Sequence, residues 1–204
     1  MGGDPSEEKL MTAALRLPDK RDWTVEDLAS LPEVLRYELI DGRLVLPSPT
    51  PFQRVLGYQL ATMLRPNCPA TYVPVPDLSL DIDCRSELRP DVVVVHERYM
   101  TRSPVPIDGA MLVVEIISPT SRFQDMYAKT RVYAAARVDD YWVVDPTFGE
   151  GVELTIFRPG RSGEYEMTLS TNKALDTDVP YPITIDVPAL TALRDKYLAA
   201  RDDA

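Results

Sequence analysis

The chain has 204 residues, 45% of them hydrophobic, which is enough for one domain with a sizeable core. It is acidic, with 32 Asp and Glu against 22 Lys and Arg; this excludes a basic coat that clings to phosphates, while leaving room for a local basic rim around a cleft. His96 is the single histidine, so multi-histidine zinc sites, HExxH metalloproteases and two-histidine nuclease motifs are excluded within one chain, and no GxSxG accompanies it for a serine triad.

Residues 1–22 are polar, charged and weakly periodic, and read as a flexible N-terminal segment with a short helix near Leu10–Leu15. Residues 23–204 read as one globular domain. Thr24 with Asp27 has the spacing of a capping box that opens a short helix to about Leu31. Arg36–Ile40 and Arg43–Leu46 flank Asp41-Gly42, a hairpin signal. After the rigid connector Pro47-Ser-Pro-Thr-Pro51, the spacing of Phe52, Val55, Leu56, Leu60 and Met63 predicts a helix to about Leu64. Strands are expected at Thr71–Val75, Leu78–Ile82, Asp91–Val95 and Met111–Ile117. A helix from about Phe123 to Arg137 follows, then strands Tyr141–Val144, Val152–Phe157, Tyr165–Leu169 and Ile183–Asp186, and a terminal helix Ala189–Ala199. The order implies an α/β fold, a mixed sheet flanked by helices on both faces.

Cys68 and Cys84 form no CxxC pair and suggest no disulfide framework, so a reducing cytoplasm is expected. No basic segment followed by an apolar stretch opens the chain, so no signal peptide is expected, and no apolar run has the length of a membrane span.

Glu115 is the anomaly. It lies inside Met111-Leu-Val-Val-Glu-Ile-Ile117, which reads as a strand buried on both faces. An ionised carboxylate there costs several kcal/mol unless a cation compensates it. Asp91 opens a second apolar run, Val92–Val95. Two acids on neighbouring buried strands, with a backbone carbonyl such as that of Ile116, form an oxygen-donor set suited to Mg²⁺, for which Mn²⁺ can substitute. Such an ion can polarise a phosphoryl oxygen and supply a hydroxide nucleophile.

Arg89-Pro-Asp91 followed by Val-Val-Glu115-Ile-Ile resembles the PD-(D/E)XK nuclease signature. The wider pattern is similar to one bacterial branch of that superfamily, the Uma-type restriction endonuclease family. The likeness rests on Tyr37-Glu-Leu-Ile-Asp-Gly42, Ser48-Pro-Thr-Pro51, Val114-Glu-Ile-Ile-Ser-Pro119 and Tyr141-Trp-Val-Val-Asp-Pro146, in that order across roughly residues 23–190. It implies a restriction-endonuclease-like core and a Mg²⁺-dependent endonuclease acting on DNA, with Asp91 and Glu115 as metal ligands. Two residues after the glutamate the superfamily has lysine, and this chain has Ile117. The Uma branch takes its lysine from the following helix, and Lys129 matches that position. Lys129 shares a helix face with Met126 and Tyr133, from which its ammonium could reach the metal site. The resemblance also places Glu38, in the first hairpin, near the metals. Where the branch often has a histidine, this chain has Pro51-Phe-Gln53.

Each candidate has a plainer alternative. Glu115 could form a buried ion pair with Arg131, Asp91 could cap a turn, Lys129 could pair with Asp125 on an exposed helix face, and Glu38 could face solvent. Gln53 is either a polar residue at a helix start or a substrate contact. Arg89, Arg122 and Arg131 are candidates for phosphate contacts. Asp145 reads as a turn former, Ser118 and Ser121 as helix caps, His96 as a surface residue, and Tyr127, Tyr133, Tyr141 and Trp142 as core aromatics. DNA is the expected partner, with a homodimer suited to cutting two strands. The competing readings are a non-catalytic module that binds DNA or a partner protein, and a hydrolase of small phosphate esters.

Overall fold

The computed structural model describes residues 20–32, 35–118 and 124–202. The expected helix near Leu10–Leu15 lies outside the described residues. Thirteen strands are present among them: β1 Glu38–Ile40, β2 Arg43–Val45, β3 Tyr72–Pro76, β4 Leu80–Asp83, β5 Ser86–Leu88, β6 Val92–His96, β7 Val105–Pro106, β8 Ala110–Ile116, β9 Asp140–Asp145, β10 Glu153–Pro159, β11 Tyr165–Thr171, β12 Leu175–Thr177 and β13 Ile183–Ile185. The α-helices are α1 Val25–Leu28, α2 Pro51–Met63, α3 Thr130–Ala135 and α4 Val187–Asp202, and a π-helical stretch, Gln124–Lys129, leads into α3.

Two sheets hold eleven of these strands, and β12 and β13 form a separate antiparallel pair. The larger has the order β11-β10-β9-β8-β6-β3, mixed because β8 and β9 run parallel while its other pairs are antiparallel. The smaller has the order β2-β1-β5-β4-β7. Its hairpin turns at Asp41 and Gly42, both at positive φ (48° and 78°), with Ile40 opposite Arg43. That is the two-residue turn whose twist matches the strands, and glycine adopts its second position without strain.

The apolar runs of β6 and β8 are buried on both faces by strand alternation. Val92, Val94, Leu112, Val114 and Ile116 join a core with Leu56 and Leu60 of α2, together with β13 and α4. Val93, Val95, Val113 and Ile117 face the other way. They pack with Tyr133 of α3 and with Ile40, Leu80, Leu88 and Val105 of the smaller sheet. The second face therefore carries a sheet as well as a helix. Strands β5, β7 and β12 are absent from the sequence expectation, being two or three residues long and too short for a period to show.

The expected helix Phe123–Arg137 is split. Its described part is π-helical to Lys129 and α-helical to Ala135, and Arg137 then enters the left-handed region at φ 59°. Tyr127 corrects the expectation of a core aromatic: it is 62% exposed, whereas Tyr133, Tyr141 and Trp142 are fully buried. Tyr127 stands two residues from inward-facing Lys129, which turns it toward solvent. Cys68 and Cys84 are free thiols. No described helix is long and apolar enough to cross a membrane.

Candidate active site

The register of β6 against β8 sets Val92 opposite Val114, and one further step brings Asp91 beside Glu115. By the same alternation both acids fall on the face covered by α3 and the smaller sheet. Asp91 Oδ2 accepts from the Ile116 amide at 2.7 Å, which fastens the end of β8.

Glu115 is 2% exposed, and its two carboxylate oxygens have different partners. Oε2 lies 2.9 Å from Lys129 Nζ, and Oε1 accepts from the Tyr133 hydroxyl at 2.9 Å. Lys129 Nζ is also 2.9 Å from Glu38 Oε1, and the same Glu38 oxygen accepts from the Arg89 amide at 2.8 Å. Lys129 and Glu38 are each 4% exposed, which removes the exposed-pair and solvent-facing alternatives for these residues. Glu115 is a buried ion pair, as its alternative required, but with Lys129 in place of Arg131.

Such burial is stable only because each charge is met at hydrogen-bond distance. One ammonium therefore ties the larger sheet, through Glu115, to the smaller sheet, through Glu38. Burial, followed by the neighbouring Glu115 charge, pushes the Tyr133 hydroxyl well above its ordinary pKa, so it remains a proton donor.

Glu38, Glu115 and Lys129 form the floor of a cavity of about 310 Å³ that is also lined by Asp91, Gln53, Ile116 and Ser118. Gln53 forms the α2 capping box with Thr50: its Oε1 accepts from the Thr50 amide at 2.8 Å, and its own amide donates to Thr50 Oγ1 at 3.3 Å. With Oε1 committed, Nε2 faces the Ile116 carbonyl at 3.4 Å, so the helix-start role and a place in the cavity coincide. A Cβ built at Gly57 of α2 would lie 3.4 Å from the Asp91 carbonyl oxygen, in ordinary contact.

Arg89 lines the same cavity and donates from Nε to Asp77 Oδ1 at 2.7 Å. Asp77 also takes Arg54 at 3.0 Å and Arg36, giving a three-arginine cluster that the sequence reading missed. Burial pushes the Asp77 carboxyl up, but its hydrogen bonds to Arg36, Arg89 and Arg54 outweigh that and hold it below the ordinary value. Tyr133 was placed on the right face but read only as a core aromatic, and its hydroxyl is the overlooked feature.

Arg131 is corrected. It is exposed and lines a different pocket with Arg43 and Asp83. Two residues beyond Lys129 is about 200° around a helix, which turns Arg131 away from the Glu115 side. Arg122 and Ser121 lie outside the described residues, and Ser118 lines the cavity. Asp145 is the expected turn former, accepting from the Thr147 amide at 2.8 Å. His96 caps a single 3-10 turn, with its Nδ1 accepting from the Arg98 amide at 3.2 Å.

The family described as "Uma2: Putative restriction endonuclease" matches residues 25–184. The chain belongs to the Uma2 family. The match spans both sheets and all four residues of the Glu38–Asp91–Glu115–Lys129 group. The fold is restriction-endonuclease-like. A crystal structure described as a putative nuclease belonging to DUF820, from Anabaena variabilis, superposes with a TM-score of 0.63 at 16% identity, covering 84% of this chain and 98% of that one. Comparison with curated proteins gives no match.

Among the described residues no three His, Cys, Asp or Glu side chains converge as a metal cluster. The donor chemistry of the floor nevertheless fits a hard cation. Asp91, Glu115 and the Ile116 carbonyl are all oxygen donors, and Mg²⁺ takes few protein ligands because it keeps several waters.

Proposed function

We propose that this Uma2 protein is a metal-dependent DNA endonuclease that hydrolyses phosphodiester bonds in the cavity bearing Asp91, Glu115 and Lys129. One observation carries the reading: a buried lysine 2.9 Å from each of two acids, at the floor of a cavity that also holds Asp91. Buried charge is costly and collects where chemistry needs it. The family's description supports a nuclease.

Asp91, Glu115 and the Ile116 carbonyl would hold Mg²⁺, or Mn²⁺ in its place. The ion, when bound, would polarise a phosphoryl oxygen and lower the pKa of water. The protein's own groups supply the rest. Lys129 offers a fixed positive charge and N–H donors where negative charge builds on the phosphate, and it can orient the attacking water. Glu38 holds the Lys129 ammonium in place. Tyr133 fixes the Glu115 carboxylate, and Gln53 steadies the Ile116 carbonyl. A homodimer would present two such cavities to the two strands of a duplex.

One feature favours a second reading, a nuclease-like module that binds DNA or a protein without cutting. Lys129 already compensates both Glu38 and Glu115, so the triad is satisfied without a metal. Supercoiled, linear and branched DNA incubated with millimolar Mg²⁺ or Mn²⁺ separate the two readings. The endonuclease nicks at least one substrate, and a chelator stops it. Binding without cleavage under every metal condition contradicts the endonuclease and leaves the module.

A further inference from the structure

The rim of the cavity differs from its floor. On the floor, Glu38, Asp91 and Glu115 outnumber Lys129. On the rim, three guanidinium groups gather on the single carboxylate of Asp77. They come from three places: Arg36 before β1, Arg54 on α2 and Arg89 after β5. All three line the cavity, and their side chains are 52%, 40% and 28% exposed. Among the described residues each donates one side-chain N–H, to Asp77, through Nε for Arg89 and one terminal nitrogen for each of the others. A guanidinium has five N–H donors, so each arginine keeps donors beyond the one given to Asp77. Asp77 positions the arginines without saturating them.

A second, independent feature adjoins the arginines. Tyr58 lies one helical turn after Arg54 on the outward face of α2; it is 62% exposed and lines the same cavity. Leu46, Pro47 and Pro49 add apolar lining to the same cavity, with Leu46 47% exposed. An exposed aromatic beside a basic groove is the arrangement on which an unpaired base stacks while its phosphate is held. Bases inside an intact duplex are already stacked and cannot reach such a ring.

We infer that the cavity rim takes one unpaired DNA nucleotide, its phosphate on Arg36, Arg54 and Arg89 and its base against Tyr58. The preferred substrate would then carry a single-stranded end, gap or branch point. The choice of DNA rests on the nuclease reading; the preference for an unpaired nucleotide does not.

The test is fluorescence anisotropy of the full chain in chelator, where metal-dependent cleavage cannot interfere. Its DNAs are a single-stranded oligonucleotide, the blunt duplex of the same sequence, and that duplex with a single-stranded overhang. The single strand and the overhang duplex are expected to bind about tenfold tighter than the blunt duplex. Tyr58→Ala removes that preference, and Tyr58→Phe, which keeps the ring, retains it. Arg36→Ala and Arg54→Ala weaken binding and each lower the salt slope by about one. All four variants alter exposed side chains, and a wild-type-like melt for each confirms folding. Equal binding of blunt and single-stranded DNA, no effect of Tyr58→Ala, or no binding to any DNA overturns the inference. Failure of the nuclease reading looks different: the single-strand preference persists while no metal supports cleavage.

Discussion

Lys129 Nζ lies 2.9 Å from Glu115 Oε2, and both side chains are almost wholly buried. The same nitrogen holds Glu38 at the same distance, so one cation joins a strand of each sheet. This triad is the structural keystone of the cavity as well as its chemical candidate.

Removing the cation should therefore be expensive. Lys129→Met leaves two buried acids without their shared cation and is expected to cost about 3–5 kcal/mol in a urea titration. Adding Glu38→Gln and Glu115→Gln to that variant should recover part of the loss, because the uncompensated charges disappear with them. No recovery would mean that Lys129 contributes through packing of its stem.

Metal should stabilise the fold. At a concentration about 100 times its Kd, an ion bound only by the native state adds about 3 kcal/mol, which for a chain of this size raises the melting temperature by about 5–10 °C. Mn²⁺ should produce such a shift in the wild type and none in Glu115→Ala, read by differential scanning calorimetry.

Tyr133→Phe keeps the buried ring and deletes the hydroxyl that fixes Glu115 Oε1. A hydrogen bond to a charged group is worth about 1.5–3 kcal/mol, so stability in a urea titration should fall by that order. Cleavage should drop by about tenfold if the lost orientation costs the transition state about 1.4 kcal/mol. A variant with unchanged cleavage would reduce Tyr133 to a packing role.

Gly57 permits a conservative test of how closely α2 must approach Asp91. A Cβ at this position meets its three nearest atoms at 3.4 to 4.0 Å, ordinary contact. Gly57→Ala should fold normally and gain up to about 1 kcal/mol from helix propensity. Gly57→Leu should be destabilised, because its longer side chain meets Asp91, Val92 and Ile116.

The pH dependence of stability should report Asp77. Its carboxyl titrates below the ordinary value in the folded state, so the unfolded chain binds the proton first as pH falls. Its contribution is complete above the ordinary carboxylate pKa of about 4 and is lost as pH drops through the lower folded value. Asp77→Asn should melt below the wild type at neutral pH, with the gap closing below about pH 4. A gap that is constant with pH would assign the effect to something other than charge.

Much of this architecture is legible in the sequence for reasons that can be named. Val92–Val95 and Met111–Ile117 read as strands because both their faces are buried, and Asp41-Gly42 reads as a turn because its backbone needs positive φ. Glu115 is conspicuous because desolvation makes a lone carboxylate there untenable. The Asp77 cluster is not legible, since Arg36, Arg54 and Arg89 meet only after two sheets and α2 have assembled. Strand β5 is equally silent: Ser86–Leu88 has no period of its own and is defined by its pairing with β1 and β4. Arg131 faces away from the site because two residues from Lys129 along a helix is nearly the opposite face.

Nicking of supercoiled plasmid by the purified wild type and by Glu115→Ala, each with and without Mn²⁺, tests the central claim most directly. Metal-dependent nicking by the wild type and none by Glu115→Ala is the expected result. Equal nicking by the two proteins, or a wild type that fails to cut with any divalent ion, would contradict it.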